Sequence, residues 1–259
     1  MKKFVYVFDL DGTLIKNMAF KYAYRKLPTV LKLDISPDEF SEMFINTYYE
    51  LVKQGRLKEA FNWDFIIESI LNRFGKTYSK DLFLELMIDG LKKNLIEVLD
   101  EAHEVLSLIK KMGHLIIVLT NGYRKYQLPV LRRTRLIDYV DILLTADDLE
   151  KLKPHAEAFE KIFDIAKGYD KSQIIFVGDH PYYDIYGALN AGLGKIFWRT
   201  NFYRSGEYTV KEVADYIIKY ANDRYDLSLD LTPFYNRKII IINKLTELLN
   251  MRMLMRFDV

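Results

Sequence analysis

The stretch Lys3-Phe-Val-Tyr-Val-Phe8, running into Asp9-Leu-Asp-Gly-Thr13, decides the fold. Its first half is β-branched and aromatic with no polar alternation, the pattern of a strand buried on both faces. The second half breaks that run with two carboxylates and a glycine, so the chain turns sharply there. The same grammar recurs downstream. Leu115-Ile-Ile-Val-Leu119 is followed by Thr120-Asn121-Gly122, and Gln173-Ile-Ile-Phe-Val177 by Gly178-Asp179. Shorter apolar runs at 142–144, 194–198 and 239–242 read as further strands. Helical periodicity lies between them over 99–111, 124–133, 155–167 and 188–191. This alternation predicts an α/β fold with a doubly wound parallel sheet. Each polar cluster would then sit at the C-terminal end of a buried strand, where open α/β sheets bind ligands.

Between the first strand and the rest, the pattern changes. Over 17–92 apolar residues recur at three and four, as in Phe40, Met43 and Phe44 or Leu82, Phe83, Leu86 and Met87. Ser36-Pro37-Asp38-Glu39 is a helix start, with a cap residue and proline in the first turn. The segment reads as an all-helical insertion, leaving 1–16 and 93–259 for the α/β domain. Residues 200–238 are harder to read. Thr209-Val-Lys-Glu212 opens a helix through Tyr220, and Asp223–Arg237 reads as loop. The Met-rich end, Met251–Met255, reads as packing or a subunit contact.

Composition narrows the partners. The 259 residues hold 38 Lys+Arg against 36 Asp+Glu, a net charge of +2 that gives no field drawing nucleic acid or an anionic membrane. No cysteine is present, which removes disulfides, thiolate metal sites and cysteine nucleophiles. Five apolar residues between Lys3 and Asp9 do not make a signal peptide, and no apolar run approaches membrane-spanning length. A soluble, cytoplasmic protein is expected. Many charged residues with few Gln and Gly fit the composition of a thermophile's protein.

The strand ends gather Asp9, Asp11, Thr120, Asn121, Asp179 and Asp184, with Lys151 and Lys153 in the stretch before the last pair. Four converging carboxylates demand a compensating cation, and an all-oxygen set favours Mg²⁺. A lysine would offset more charge and hold an anionic substrate. Two carboxylates two residues apart point differently, so one can attack while the other moves protons. Phosphoryl transfer matches this set best.

These residues resemble the haloacid dehalogenase superfamily of phosphohydrolases. Phe8-Asp9-Leu10-Asp11-Gly12-Thr13 is similar to its nucleophile loop, Leu119-Thr120-Asn121-Gly122 to its hydroxyl motif, and Lys153-Pro154 to its lysine motif. Val177-Gly178-Asp179 with Asp184 is similar to its acidic motif. The resemblance implies a Rossmann-like core with a helical cap over 17–92. It also implies Asp9 as nucleophile, Asp11 as general acid and base, and Thr120 with Lys153 as phosphate-holding groups, helped by backbone amides near Leu10 and Asn121. Mg²⁺ would take the Asp9 carboxylate, the Asp11 carbonyl and the Asp179 carboxylate, with Asp184 as ligand or supporting partner. Asp11 favours a phosphoester, because dehalogenases and phosphonatases of the superfamily lack a second aspartate there. The expected activity is hydrolysis of a small soluble phosphomonoester through an aspartyl-phosphate. The alternatives are a sugar phosphomutase and a non-catalytic binding protein on the same scaffold. His155 stands where the family often has Asp after Lys-Pro, and Lys151 is a rival to Lys153.

Overall fold

The computed structural model describes residues 3–250. Strand β1 (Val5–Phe8) is buried at all four positions because it lies in the middle of a seven-stranded sheet. Helices α1 (Met18–Val30), α2 (Pro37–Lys53), α3 (Leu57–Ala60), α4 (Trp63–Leu71) and α5 (Lys80–Lys92) follow, bracketed by two short strands, β2 (Ile15–Asn17) and β3 (Ile96–Val98). The α/β alternation then runs α6 (Ala102–Lys111), β4 (Leu115–Leu119), α7 (Arg124–Arg133), β5 (Ile142–Leu144), α8 (Glu157–Ile165), β6 (Ile174–Gly178), α9 (Gly187–Asn190) and β7 (Lys195–Arg199). The chain continues with β8 (Gly206–Thr209), α10 (Val210–Tyr225), β9 (Lys238–Ile242) and α11 (Glu247–Asn250). No helix of the described residues is long and apolar enough to cross a membrane.

Strand order is β5-β4-β1-β6-β7-β9-β8, all parallel except β8, which runs antiparallel to β9 at the edge. Chain direction through the sheet reverses at β1, between β4 and β6, which is where a doubly wound sheet opens a crevice. Register does the rest. Phe8 stands opposite Val118 on one side and Val177 on the other, so the three strands end nearly level. Asp9, Thr120 and Asp179 therefore emerge along one edge.

The inserted helices start where capping chemistry dictates. Ser36 accepts a hydrogen bond from the Glu39 amide at 3.1 Å, and Glu39 accepts one from the Ser36 amide at 2.7 Å. The periodicity correctly marks Phe40, Phe44, Phe83 and Met87 as core. Strands β2 and β3 pair antiparallel, Ile15 with Val98 and Asn17 with Ile96, so the two connections to the helices are joined as a ribbon. From the helices, Asp64 forms an ion pair with Lys125 of α7, and Tyr48 Oη meets Tyr183 Oη at 2.8 Å.

Several expectations required correction. Gly206–Thr209, in the stretch that the sequence pattern leaves unassigned, is an edge strand; only β9 holds it, and its four residues carry no apolar pattern. Helix α10 runs past Tyr220 to Tyr225, because Ala221 and Tyr225 are buried in line with Ile217. Residues 15–17 and 96–98, to which the sequence pattern assigns no strand, pair as strands. Pro181–Tyr186 forms a single π-helical turn. Met251–Met255 lies outside the described residues.

His114 caps the N-terminal edge of the sheet. It packs edge-on against Phe4, lies against Tyr6, and its Nδ1 accepts the Phe4 amide at 3.3 Å. Burial holds its pKa below the ordinary 6.5, and the nearby Lys3 charge adds to this. The folded chain thus binds this proton less readily than the unfolded chain. The group's contribution to stability is full above 6.5 and is lost as pH falls from there through the folded value. His114→Gln should therefore flatten the dependence of Tm on pH below neutrality. A slope equal to that of the parent chain would show that other groups govern acid stability.

Candidate active site

The loop after β1 is built around one carbonyl. Leu10 O accepts the amides of Thr13, Leu14 and Ile15 at 3.3, 2.9 and 3.1 Å. The amides of Leu10 and Asp11 donate to nothing among the described residues, so both are available to an anion. Gly12 has φ +92°, and a Cβ there would lie 2.3 Å from Asp179 Oδ2. Glycine is required for the turn and for the approach of the acidic loop. Behind the loop, Arg199 donates to Gly12 O at 3.0 Å while paired with Asp100 at 2.6 Å.

Lys153 lies buried at the centre, 1% exposed. Its ammonium donates to Asp9 Oδ1 at 2.6 Å, Asp184 Oδ1 at 2.6 Å and Leu119 O at 3.0 Å. Asn121 locks its backbone with two bonds, accepting the Lys153 amide at 2.9 Å and donating to the Lys153 carbonyl at 2.8 Å. The Asn121 side chain thus serves the lysine, while its own amide donates to nothing among the described residues. Lys151, the rival, is half-exposed and paired with Glu157 at 2.6 Å. Its short distance along the chain from Lys153 does not bring it into the site.

The carboxylates divide by what they already bind. Asp184 is fully engaged, with Oδ1 on Lys153 and Oδ2 accepting the amides of Asp179 and His180 at 3.1 and 3.0 Å. Asp179 Oδ1 accepts the Thr13 hydroxyl at 3.0 Å, and Trp198 holds the Asp179 carbonyl from behind at 2.9 Å. Asp9 Oδ2 and Asp179 Oδ2 accept no hydrogen bond from the described residues. Carboxylate oxygens of Asp9, Asp179 and Asp184 come within 4.8 Å of one another. Burial raises the pKa of Asp9 well above the usual range; Asp184 adds to this and Lys153 opposes it. Asp179 is raised by the same two causes, burial first and Asp184 second. For Lys153, burial works against the charge, but Asp184 and Asp9 outweigh it and hold the pKa above that of a free lysine. Four carboxylates facing one buried ammonium leave an excess of negative charge that a divalent cation would relieve. The unbonded oxygens of Asp9 and Asp179 and the unbonded Asp11 carbonyl form the hard-oxygen donor set that Mg²⁺ prefers. Asp184 completes the group from behind.

Sequence reasoning missed one residue. Gln127, one turn into α7 and buried, donates to Asp11 Oδ2 at 2.7 Å and reaches Thr120 Oγ1 at 3.4 Å. Its Oε1 is buried with no partner among the described residues. A Cβ on Gly122 would lie 2.1 Å from Gln127 Nε2, so this glycine makes the room. Asp11 opens to the cavity, and its enclosure raises its pKa while the Gln127 bond offsets part of the rise. The signal in the sequence was only a polar residue on the buried face of α7. Thr120, also buried, has Oγ1 held by the Gly122 amide at 3.1 Å, leaving its proton to donate. These groups line the floor of a cavity of about 490 Å³ whose walls come from α1, α2, the turn between α3 and α4, the start of α4 and the segment after β6.

A doubly wound sheet with these loops at its strand ends defines a class of hydrolase. A family model for haloacid dehalogenase-like hydrolases matches residues 6–197, and the chain belongs to that family. A glyceraldehyde 3-phosphate phosphatase from Pyrococcus furiosus is 27% identical over 218 residues, 83% of this chain and 88% of that protein. Pyrophosphatase PpaX from Bacillus cereus is 28% identical over 193 residues, 72% of this chain and 78% of that one. A HAD phosphatase from Thermococcus onnurineus superposes with a TM-score of 0.63 at 23% identity, covering 98% of both chains. A 2-haloacid dehalogenase from Pseudomonas syringae pv. Tomato gives 0.62 at 22%, covering 98% of this chain and all of that one. The fold is thus shared by two chemistries, and the residues at the strand ends must choose between them.

Removing the buried ammonium should leave Asp9 and Asp184 facing each other. Lys153→Met is expected to lower unfolding free energy by roughly 3 kcal/mol near neutral pH. The loss should shrink in acid, as the carboxylates protonate. Urea titrations of both proteins at two pH values measure this; an unchanged midpoint would overturn the charge balance described above.

Proposed function

We propose that this protein is a Mg²⁺-dependent phosphatase that hydrolyses a small soluble phosphomonoester through an aspartyl-phosphate on Asp9. The observation that carries the reading is a division of labour between two carboxylates. Asp9 is held by Lys153 through one oxygen with the other unbonded, while Asp11 is oriented separately by Gln127 and opens to the same cavity. A dehalogenase has no use for the second group, since a departing halide needs no proton. The two sequence relatives described above are by name a phosphatase and a pyrophosphatase, which agrees with this reading.

In the first step, a carboxylate oxygen of Asp9 attacks phosphorus and the bond to the ester oxygen breaks. That oxygen leaves with the proton of Asp11. Desolvation at the cavity floor raises the pKa of Asp11 above that of a free carboxylate, which favours its acid form. Water then enters and gives a proton back to Asp11 as it attacks phosphorus, releasing inorganic phosphate and restoring the Asp9 carboxylate. The amides of Leu10 and Asn121, the Thr120 hydroxyl and the Lys153 ammonium hold the phosphoryl oxygens as charge moves. The Asp9 and Asp179 carboxylates and the Asp11 carbonyl would hold Mg²⁺, with Asp184 supporting them. When bound, the ion neutralises phosphoryl charge that one lysine cannot. The inserted helices act as a cap over 17–92 that limits bulk water at the phosphoenzyme.

Asp9→Asn should reduce phosphate release by at least about a thousandfold, and chelation should abolish it until Mg²⁺ is restored. Asp11→Asn is expected to trap protein carrying one phosphoryl group on Asp9, visible by mass spectrometry of the intact chain. Retained hydrolysis in Asp9→Asn would remove the covalent route. Gln127→Leu, which keeps volume but not the amide, should lower kcat roughly tenfold or more with little change in KM. A rise in KM alone would mean that Gln127 touches substrate and does not position Asp11.

A further inference from the structure

Above its catalytic floor, the 490 Å³ cavity is walled by aromatic rings. They fall into two groups. Phe20 lies 3.9 Å from Trp63 between ring centres, and Tyr24 stacks on Phe44 at 5.0 Å; Phe20 also meets both Tyr24 and Phe44. On the other side of Asn62, Phe61 meets Tyr48 at 5.7 Å and Tyr183 of the π-helical turn at 5.4 Å. Among the described residues no ring pair joins the two groups, although both line the cavity. Asn62 caps α4 by accepting the Phe65 amide, which fixes the turn that carries Phe61 and Trp63.

Polar wall groups are few and mostly used. Asn17 Oδ1 caps α1, the hydroxyls of Tyr48 and Tyr183 bond each other, and the Tyr49 hydroxyl accepts from Arg224. Besides Lys153, the cavity is lined among the described residues by a single lysine or arginine, Lys16. A leaving group bearing a second phosphate would have one exposed lysine to meet its charge. A polyol would meet few open polar groups on these walls, among them the Tyr24 and Tyr49 hydroxyls and Lys16, and each hydroxyl left against a ring face would go unbonded at a cost. A planar ring would find aromatic faces and edges on both sides and would cover apolar surface otherwise left to water.

Resting on the phosphatase reading, we propose that the preferred substrate is a monophosphate ester whose leaving group carries a planar aromatic ring. The chemistry covers aryl phosphates and nucleoside monophosphates, and separate assays distinguish them. Full-length protein with Mg²⁺ is given phenyl phosphate, uridine 5′-monophosphate, glycerol phosphate, glyceraldehyde 3-phosphate, glucose 6-phosphate and pyrophosphate, each at several concentrations. At least one ring-bearing ester should exceed every ring-free substrate by about tenfold in kcat/KM, with the difference mainly in KM. A ring-free substrate that equals or exceeds both ring-bearing esters overturns the inference and leaves the phosphatase reading standing. Phe61→Ala should narrow the preference about tenfold, and Phe61→Tyr should restore it. An unaltered preference in folded Phe61→Ala counts against the proposal. Binding separates the two failures. With Asp9→Asn protein, quenching of tryptophan fluorescence by phenyl phosphate should saturate at lower concentration than the effect of glycerol phosphate, whether or not the parent chain turns either over. No phosphate release from any substrate would remove the phosphatase reading, and this binding order would then decide the ring preference alone.

Discussion

One ammonium group holds the catalytic edge of this protein together. Lys153 reaches a carboxylate after β1, a carbonyl at the end of β4 and a carboxylate after β6, so a single side chain ties three neighbouring strand ends. Taking that charge out of water is expensive, and the cost is offset only because every donor on the ammonium finds an oxygen. The arrangement constrains its surroundings in turn. Asn121 must fix the lysine backbone, Asp184 must spend its second oxygen on two amides, and Gly12 must lack a side chain for Asp179 to come near. A substitution at any of these is felt at the others because they share one electrostatic balance.

That balance is incomplete within the chain itself, and the incompleteness is functional. The lysine neutralises part of the negative charge and leaves the rest, with unbonded oxygens on Asp9 and Asp179. A site saturated by its own cations would be more stable and would have nothing to offer a phosphoryl group. The family's shared fold positions these loops, and Gln127 orients the second aspartate at their mouth.

Much of this was legible in the sequence, for physical reasons. Buried parallel strands announce themselves as uninterrupted apolar runs, so β1, β4 and β6 and the polar groups at their ends could be read directly. The capping boxes at Ser36 and Thr209 are local chemistry and were legible as well. Gln127 was not, because its role depends on a helix placing it against a loop more than a hundred positions away. The engagement of Asp184 by lysine and amides was equally hidden, since spacing cannot tell a ligand from the group that supports it. The edge strand β8 and the β2–β3 ribbon escaped because short strands owe their existence to a partner and not to their own composition. The aromatic walls were visible only as helix periodicity, with nothing to show which rings faced inward.

The ribbon has a mechanical meaning. Ile15 O accepts the Gly12 amide at 2.7 Å, and Leu14 O accepts the Leu99 amide at 2.9 Å, so the paired connection grows out of the loop that bears Asp11. A single tether would let the helices swivel without disturbing the sheet. Two strands bonded in register resist twisting and give mainly by bending, and the fixed end of that bend lies within a few residues of Asp11. Tilting the helices would thus act as leverage on the backbone that carries Asp11. The opening of the cavity and the placement of Asp11 depend on one short piece of chain, so a change in one is felt by the other.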